Sequence, residues 1–280
     1  MLTAFEGRTA VITGAASGIG LGLARRCAAR GMDVVMLDVE SAALDEAARV
    51  VGDDRRVLAR TVDVSDAAAM ESVAGEVLSR FGDVHLLCNN AGVIVAGPTW
   101  TMTADDYRWM TDVNLGGVLN GVRAFVPRML ERGQEGHVVN TASFAGLVST
   151  PNASLYSATK AGVVALSEVL FHDLRDADAA IGVSVLCPGL VDTRIVLAGR
   201  NRPSDLSDTD QPTIPDEALA YFATGTDPLT VADRVLEAVE HDNFYVLTNE
   251  ASRPSIAARM EALVNLAEPV RPLPGATQAD

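Results

Sequence analysis

The stretch that decides the fold of this 280-residue chain is Arg8–Thr13 (RTAVIT) followed by Gly14–Gly20 (GAASGIG). The first part predicts a short strand, and the glycines separate it from a helical pattern that ends at Gly31. Glycines at such a junction let the backbone approach a pyrophosphate at the helix N-terminus, where amide groups and the helix dipole favour anions. A glycine-rich turn alone is weak evidence, so its meaning depends on the sequence around it.

The next strand supplies that context. Asp33–Leu37 (DVVML) predicts a buried strand, and Asp38 closes it about 20 residues past the glycines. A carboxylate at this point can accept hydrogen bonds from both hydroxyls of a ribose and would repel a 2′-phosphate. The alternative role for Asp38 is a cap at the strand end.

Strands and helices alternate along most of the chain. Further strands are predicted at residues 57–62, 84–88, 137–142, 181–187 and 244–248. Alternation with helices of this length predicts a parallel sheet covered by helices on both faces, with ligands at the carboxyl ends of the strands. Polar residues or glycine fall at four such ends, namely Gly14, Asp38, Asp63 and Asn90.

A candidate base lies at Tyr156, four residues before Lys160. This spacing places both side chains on one face of a helix, so the ammonium can favour the ionised phenol. An unperturbed tyrosine, with a pKa of about 10, is a poor proton acceptor at neutral pH without such help. Ser143 ends the fifth predicted strand, on the same side of the sheet as the glycine turn. The alternative is a packed tyrosine beside a solvated lysine.

Three other features are interpreted from composition. Asn114 lies among apolar helix positions, where its amide needs a partner or bends the helix by bonding its own backbone. Residues 194–226 are rich in proline and aspartate, with one short helix near residues 216–222, and are interpreted as a lid over the substrate. Residues 267–280 predict an extended tail, which leaves residues 1–266 as one domain.

Composition excludes several classes of protein. The apolar content of 48% is ample for a buried core, and the net charge of −15 disfavours a nucleic-acid binder. Cys27, Cys88 and Cys187 are odd in number and widely spaced, which favours a reducing compartment, and we expect the cytoplasm. No apolar run is long enough to span a membrane. The four histidines have no metal-ligand spacing, so no metal site is expected.

Taken together, the chain resembles the short-chain dehydrogenase/reductase family from about Arg8 to Thr248. The motifs that carry the resemblance occur in family order and spacing: Thr13-Gly14-x-x-x-Gly18-Ile19-Gly20, Asp63-Val64, Asn89-Asn90-Ala91-Gly92, Asn114, Ser143, Tyr156-x-x-x-Lys160 and Pro188-Gly189-x-Val191-x-Thr193. The resemblance implies an α/β fold with a single doubly wound Rossmann domain, whose seven-stranded parallel sheet has helices on both faces. It also implies a homodimer or homotetramer formed through the helical regions at residues 103–132 and 154–174.

The resemblance implies an enzyme that transfers a hydride between a nicotinamide and a secondary alcohol or ketone. Tyr156 would exchange the proton of the substrate hydroxyl, Lys160 would lower its pKa and hold the nicotinamide ribose, and Ser143 would hydrogen-bond the substrate oxygen. Asn114 would hold a water that links Lys160 to solvent. The cofactor contacts would come from Gly14, Ser17, Gly18, Ile19, Gly20, Asp38, Asp63, Val64, Asn90, Ala91, Gly92, Tyr156, Lys160, Pro188, Gly189, Val191 and Thr193.

The same residues predict which cofactor and substrate are used. Asp38, with no arginine or lysine at residues 15–17, leaves nothing to neutralise a 2′-phosphate, so NAD is predicted over NADP. The positions expected around the substrate are mainly apolar and favour a hydrophobic alcohol or ketone: Val93, Val95, Ala145, Leu147, Val148 and Leu190.

Three alternatives stay open. A 3-oxoacyl-thioester reductase is disfavoured by Asp38, because most such relatives resemble NADPH users. A non-catalytic dinucleotide sensor of the same fold commonly lacks the tyrosine or the lysine, and both are present here. Sugar-nucleotide epimerases share the Tyr-x-x-x-Lys motif but usually carry a longer C-terminal domain.

Overall fold

The structure, a computed structural model, describes residues 2–53, 56–206 and 216–277. Within these ranges the strands are β1 Thr9–Thr13, β2 Asp33–Asp38, β3 Val57–Thr61, β4 Leu86–Asn89, β5 Gly136–Thr141, β6 Ile181–Cys187 and β7 Tyr245–Leu247. The helices are α1 Gly18–Ala29, α2 Ser41–Val51, α3 Ala67–Phe81, α4 Ala104–Thr111, α5 Gly117–Arg132, α6 Phe144–Leu147, α7 Ser154–Asp176, α8 Asp216–Phe222, α9 Pro228–Glu240 and α10 Arg253–Val264. A π-helical turn, Asp112–Gly116, joins α4 to α5.

The strands form one parallel sheet in the order β3-β2-β1-β4-β5-β6-β7. The predicted seven-stranded parallel sheet is therefore confirmed. The chain order reverses between β1 and β4, and ligands of doubly wound sheets bind in the crevice at such a point. The hydroxyl of Thr13, at the end of β1, accepts hydrogen bonds from the backbone amides of Asn90 and Ala91, which follow β4. These bonds hold the two sides of the crevice together.

Helices cover both faces of the sheet. Successive residues of a strand point to opposite faces, and in these strands the residues on each face are apolar. Ile12 packs with Leu23 of α1 and Val235 of α9 on one face. Val11 packs with Phe125 of α5 and the apolar residues of α3 on the other. Burial on both faces explains why the strands are near-continuous apolar runs.

The C-terminal residues return to the body of the protein. Residues 274–277 form a turn, and Ala276 is buried in contact with Phe144 and Val148. The backbone amide of Leu273 donates to the hydroxyl of Ser255, at 2.9 Å. The extended tail predicted for residues 267–280 is therefore corrected from Leu273 onward, and residues 278–280 lie outside the described residues. The prolines of this segment predicted that it is not helical. They did not predict that it packs against Phe144 and Val148.

The cysteines, the helices and the metal-ligating side chains were each the subject of a prediction from composition. Cys27, Cys88 and Cys187 are buried and not paired as disulfides. Across the described ranges, no helix has both the length and the apolar character to cross a membrane. In the same residues, His, Cys, Asp and Glu side chains do not gather in a group of three that could hold a metal ion.

Candidate active site

A cavity of about 410 Å³ opens at the carboxyl edge of the sheet. All but two of the predicted site residues line it: Gly14, Ser17, Gly18, Ile19, Asp38, Asp63, Val64, Asn90, Ala91, Gly92, Ser143, Tyr156, Lys160, Pro188, Gly189, Val191 and Thr193. The two that do not are Gly20 and Asn114, which lie next to the lining residues Gly14 and Gly92 respectively. The structure thus brings together residues that are up to 179 positions apart in the chain, from Gly14 to Thr193.

The glycine turn between β1 and α1 forms a cradle for a ligand that touches backbone. Gly14 and Gly18 adopt the left-handed region, with φ of 65° and 53°. A Cβ on Gly20 would lie 2.1 Å from the carbonyl oxygen of Gly14, so only glycine lets α1 approach the strand this closely. The side chain of Ser17, the N-cap of α1, makes no capping hydrogen bond, which leaves the first amides of α1 available to an anion. This arrangement fits the pyrophosphate of a dinucleotide.

Asp38 caps the end of β2, and its role toward a ribose stays a prediction. One carboxylate oxygen accepts from the amide of Ala16 at 2.9 Å, and the other accepts from the amide of Glu40 at 3.0 Å. These bonds cap the end of β2 and fix the carboxylate at the cavity wall. Each oxygen keeps a further lone pair, so Asp38 still has the capacity to accept from ribose hydroxyls.

Tyr156 and Ser143 meet at the cavity wall. Burial raises the pKa of the Tyr156 phenol above its usual value, while a hydrogen bond with the Ser143 hydroxyl acts in the opposite direction. Ser143 is the N-cap of α6, and its Oγ accepts from the amide of Ala145 at 3.1 Å. A hydroxyl pair at this point can bind one oxygen atom of a substrate.

Lys160 lies behind Tyr156 rather than against its oxygen. Its Nζ donates to the carbonyl oxygen of Thr141 at 2.8 Å and lies 5.8 Å from the centroid of the Tyr156 ring. Burial lowers the pKa of Lys160 to about 8. The cause that opposes burial of the Tyr156 phenol is the Ser143 hydrogen bond, so an effect of the Lys160 ammonium on the tyrosine pKa stays a prediction.

Asn114 lies in the π-helical turn, fully buried. Its Oδ1 accepts from the amide of Val93 at 2.8 Å, and its Nδ2 donates to the Val93 carbonyl and to the hydroxyl of Thr159. The Asn114 amide therefore joins Val93, in the segment after β4, to Thr159 of α7, and it does not hydrogen-bond the backbone of the π-helical turn. A Cβ on Gly92 would lie 3.3 Å from both Asn114 Oδ1 and Lys160 Nζ, so these two side chains meet across a glycine. Single π-helical turns occur frequently at functional sites. No sequence pattern predicted the one that contains Asn114.

The described parts of the proposed lid border the cavity from the opposite side. The guanidinium of Arg200 donates to the carboxylate of Glu40, with Nε to Oε1 at 3.1 Å, and Asn201 donates to the same oxygen at 3.0 Å. Hydrogen bonding to Arg200 lowers the pKa of Glu40. Residues 207–215 of the predicted lid lie outside the described residues. Arg200 and Glu40 are 160 positions apart in the chain, so no local sequence pattern predicts their contact.

A buried ion pair anchors the start of this segment. Arg202 Nη1 donates to Asp106 Oδ1 at 2.5 Å, and both side chains are almost completely buried. The guanidinium lies over the ring of Trp109, 5.4 Å from its centroid. Asp106 also completes a capping box with Thr103 at the start of α4. Removing one partner of such a pair leaves a buried charge, so the segment is strongly tied to α4 at this point.

Further lining residues were not predicted individually: Arg194, Ile195, Ala198, Arg200, Asn201, Tyr221, Phe222 and Thr277. Of the apolar positions predicted around the substrate, Val93, Ala145 and Leu190 line the cavity. Val95, Leu147 and Val148 do not, and this part of the prediction is corrected. They pack into neighbouring apolar clusters instead. A sequence pattern shows that a residue is apolar but not whether it faces the cavity or the core.

Comparison with known proteins decides the family. A family model described as short chain dehydrogenase matches residues 8–202, which is most of the chain. The protein is a short-chain dehydrogenase. The match covers the glycine cradle, Ser143, Tyr156 and Lys160, and it ends before α8 and the C-terminal turn.

Known relatives of this short-chain dehydrogenase are similar over nearly its whole length. A short-chain dehydrogenase/reductase from Burkholderia phymatum, solved in complex with NAD, is 40% identical with a TM-score of 0.92, covering 98% of this chain and 99% of that one. The CLA biosynthesis dehydrogenase/reductase of Lactiplantibacillus plantarum is 32% identical, covering 93% and 94%. The 1-deoxy-11-beta-hydroxypentalenate dehydrogenase of Streptomyces arenae is 39% identical, covering 86% and 82%.

These relatives and the family match establish the class of reaction. This short-chain dehydrogenase is an oxidoreductase that acts on CH–OH groups with a nicotinamide dinucleotide. The predicted family, fold and enzyme class are confirmed, and the non-catalytic sensor is set aside.

Proposed function

We propose that this short-chain dehydrogenase uses NAD to oxidise a secondary alcohol with apolar substituents, or NADH to reduce the corresponding ketone. The observation that carries the proposal is the Tyr156–Ser143 pair at the cavity wall, with the buried Lys160 ammonium behind it. The relative from Streptomyces arenae has a hydroxyl-bearing compound in its name, which agrees with an alcohol substrate.

The side chains divide the proton chemistry among them. In oxidation, the substrate hydroxyl loses its proton to the Tyr156 phenolate, while the Ser143 hydroxyl donates to the substrate oxygen and stabilises its developing negative charge. Lys160, with a pKa of about 8, is mainly protonated at pH 7, so its positive charge favours the phenolate. Asn114 positions the Val93 backbone and the start of α7 around them. A nicotinamide bound in the cavity would supply the hydride acceptor.

The cofactor-binding role extends to the remaining predicted residues. The glycine cradle and the open N-terminus of α1 would hold the pyrophosphate, and Asp38 would accept from the ribose hydroxyls. Arg200 of the predicted lid lines the cavity, but its guanidinium is already paired with the Glu40 carboxylate. Both features favour NAD over NADP.

We expect kcat/KM with NAD to exceed that with NADP by a factor of about 10 to 100, because a 2′-phosphate placed against Asp38 brings like charges together. Asp38→Asn should reduce this ratio, since the amide oxygen can still accept from Ala16 while the repulsion is gone. Asp45→Asn, which removes the same charge from an exposed position of α2, is the matched control. A wild-type ratio of one or below would overturn the preference for NAD.

The proposed reaction is tested directly by incubating the protein with NAD and a panel of secondary alcohols while NADH absorbance is followed. Apolar alcohols should be turned over because the cavity wall includes Val93, Ile94, Leu190 and Phe222. Good activity on polyols with none on apolar alcohols would reverse the substrate assignment. Turnover of a 3-oxoacyl thioester with NADPH, and of no simple ketone, would instead favour the thioester reductase.

The lid, the assembly and the location are part of the same proposal. Residues 194–226 are proposed to cover the substrate, supported by the contacts of Arg200 and Arg202. A homodimer or homotetramer through α4–α5 and α7 is supported by the exposed apolar side chains of Tyr107, Leu119 and Val169. Light scattering that shows only monomer would contradict it. The unpaired buried cysteines are consistent with the cytoplasm.

A further inference from the structure

The C-terminal strap, which we define as residues 273–277, forms part of the cavity wall. Thr277 lines the cavity, and its carbonyl oxygen accepts from the amide of Leu190 at 2.6 Å. A Cβ on Gly189 would lie 3.1 Å from the same oxygen, so the glycine allows the strap to approach this closely. The strap is therefore a backbone partner of the segment that follows β6.

That segment is held from its other side as well. The carbonyl of Leu190 accepts from the amide of Thr226 at 2.9 Å, and the carbonyl of Thr226 accepts from the amide of Asp192 at 3.1 Å. Residues 189–192 thus lie between the strap and the end of the predicted lid. Their position in the cavity depends on both neighbours.

The strap also reaches the two elements that flank the substrate oxygen. Ala276 is 1% exposed and packs on Phe144 and Val148, so the strap lies against α6, whose N-cap is Ser143. The hydroxyls of Thr277 and Tyr221 lie 3.3 Å apart, which connects the strap to α8. One short segment therefore contacts α6, α8 and residues 189–192 at the same end of the cavity.

We propose that the C-terminal strap determines which substrates the enzyme accepts, by closing the cavity beyond Ser143 with the side chains of Thr277 and Tyr221. The inference rests on the proposed function and deepens it. The family model ends at residue 202, so it does not include this wall. The substrate class is accordingly an apolar ketone, or its alcohol, whose larger substituent is limited in size by Thr277.

The test is Thr277→Phe, measured with a series of ketones in which one substituent grows stepwise. The larger side chain keeps the backbone bond to Leu190 but fills the end of the cavity, so KM for the largest accepted ketone should rise at least about tenfold. KM for the smallest ketone should change less than about twofold, and NADH affinity from fluorescence titration should be unchanged. Thr230→Phe, at an exposed position of α9, is the matched control and should leave the size profile of the wild type.

A second variant, which ends at Pro272, removes the strap and should accept ketones larger than the wild-type limit. Binding of the same ketones in the presence of NAD, with which a ketone cannot react, is measured by saturation-transfer NMR. An unchanged size profile in Thr277→Phe, by turnover and by binding, overturns the role of the strap. Wild-type protein that turns over no ketone or alcohol overturns the proposed function instead, and the binding profile still decides the strap.

Discussion

Replacing Tyr156 by Phe should lower kcat/KM for alcohol oxidation by a factor of about 10³ to 10⁴, the upper range for loss of a general base. The substitution removes the oxygen that accepts the substrate proton and keeps the ring that packs over Lys160. The measurement is initial velocity with NAD and a turned-over alcohol, together with the NADH dissociation constant. The dissociation constant separates the loss of the general base from any loss of cofactor contact, and it should change far less than kcat/KM.

The pH dependence gives an independent readout of the same residue. Burial raises the pKa of the Tyr156 phenol, so the phenolate fraction, and with it the oxidation rate, should increase with pH over the range where the protein is stable. Reduction needs the protonated phenol and should decline over the same range. The residual activity of the Phe variant should lack this dependence. Tyr107→Phe removes a hydroxyl from an exposed tyrosine of α4 and is the control; undiminished turnover in Tyr156→Phe would rule out the mechanism.

Gly20→Ala should weaken NADH binding at least about 100-fold, which corresponds to roughly 2.7 kcal/mol. The added Cβ would lie 2.1 Å from the Gly14 carbonyl oxygen and 2.8 Å from the side-chain nitrogen of Asn90, so the turn must move. Overpacking of this kind also costs about 1–3 kcal/mol of folding free energy. Fluorescence titration with NADH and urea unfolding measure the two effects separately.

Gly75→Ala is the matched control for that substitution. Gly75 lies in α3, and a Cβ there would meet nothing within 4 Å. Alanine should therefore stabilise the protein by about 0.5–1 kcal/mol and leave cofactor affinity unchanged. Wild-type affinity for NADH in Gly20→Ala would show that the β1–α1 turn is not the cradle proposed here.

The features that could be predicted from the sequence are those written in local or periodic patterns. Apolar strands alternating with helices were enough for a parallel sheet covered on both faces, because each strand carries its own burial pattern. Gly14, Asp38, Asn90 and Ser143 each stand at the end of a strand or within two residues of it. Since parallel strands end at one edge of the sheet, their positions in the chain sufficed to bring them to one cavity.

Other features depended on contacts between distant segments. The raised pKa of Tyr156 and the turn of Lys160 toward Thr141 follow from burial, which the Tyr-x-x-x-Lys spacing does not contain. The bond between Arg200 and Glu40, and the return of Thr277 to Leu190, join residues with no shared periodicity.

The chemistry of the family could therefore be predicted from short motifs, because most of these motifs lie at a junction between a strand and a helix. The lid and the C-terminal strap, which we propose to select the substrate, could not be predicted from short motifs, because long-range packing and hydrogen bonds position them. In the strap, these contacts join Ala276 to Phe144 and Thr277 to Leu190, which are far apart in the sequence.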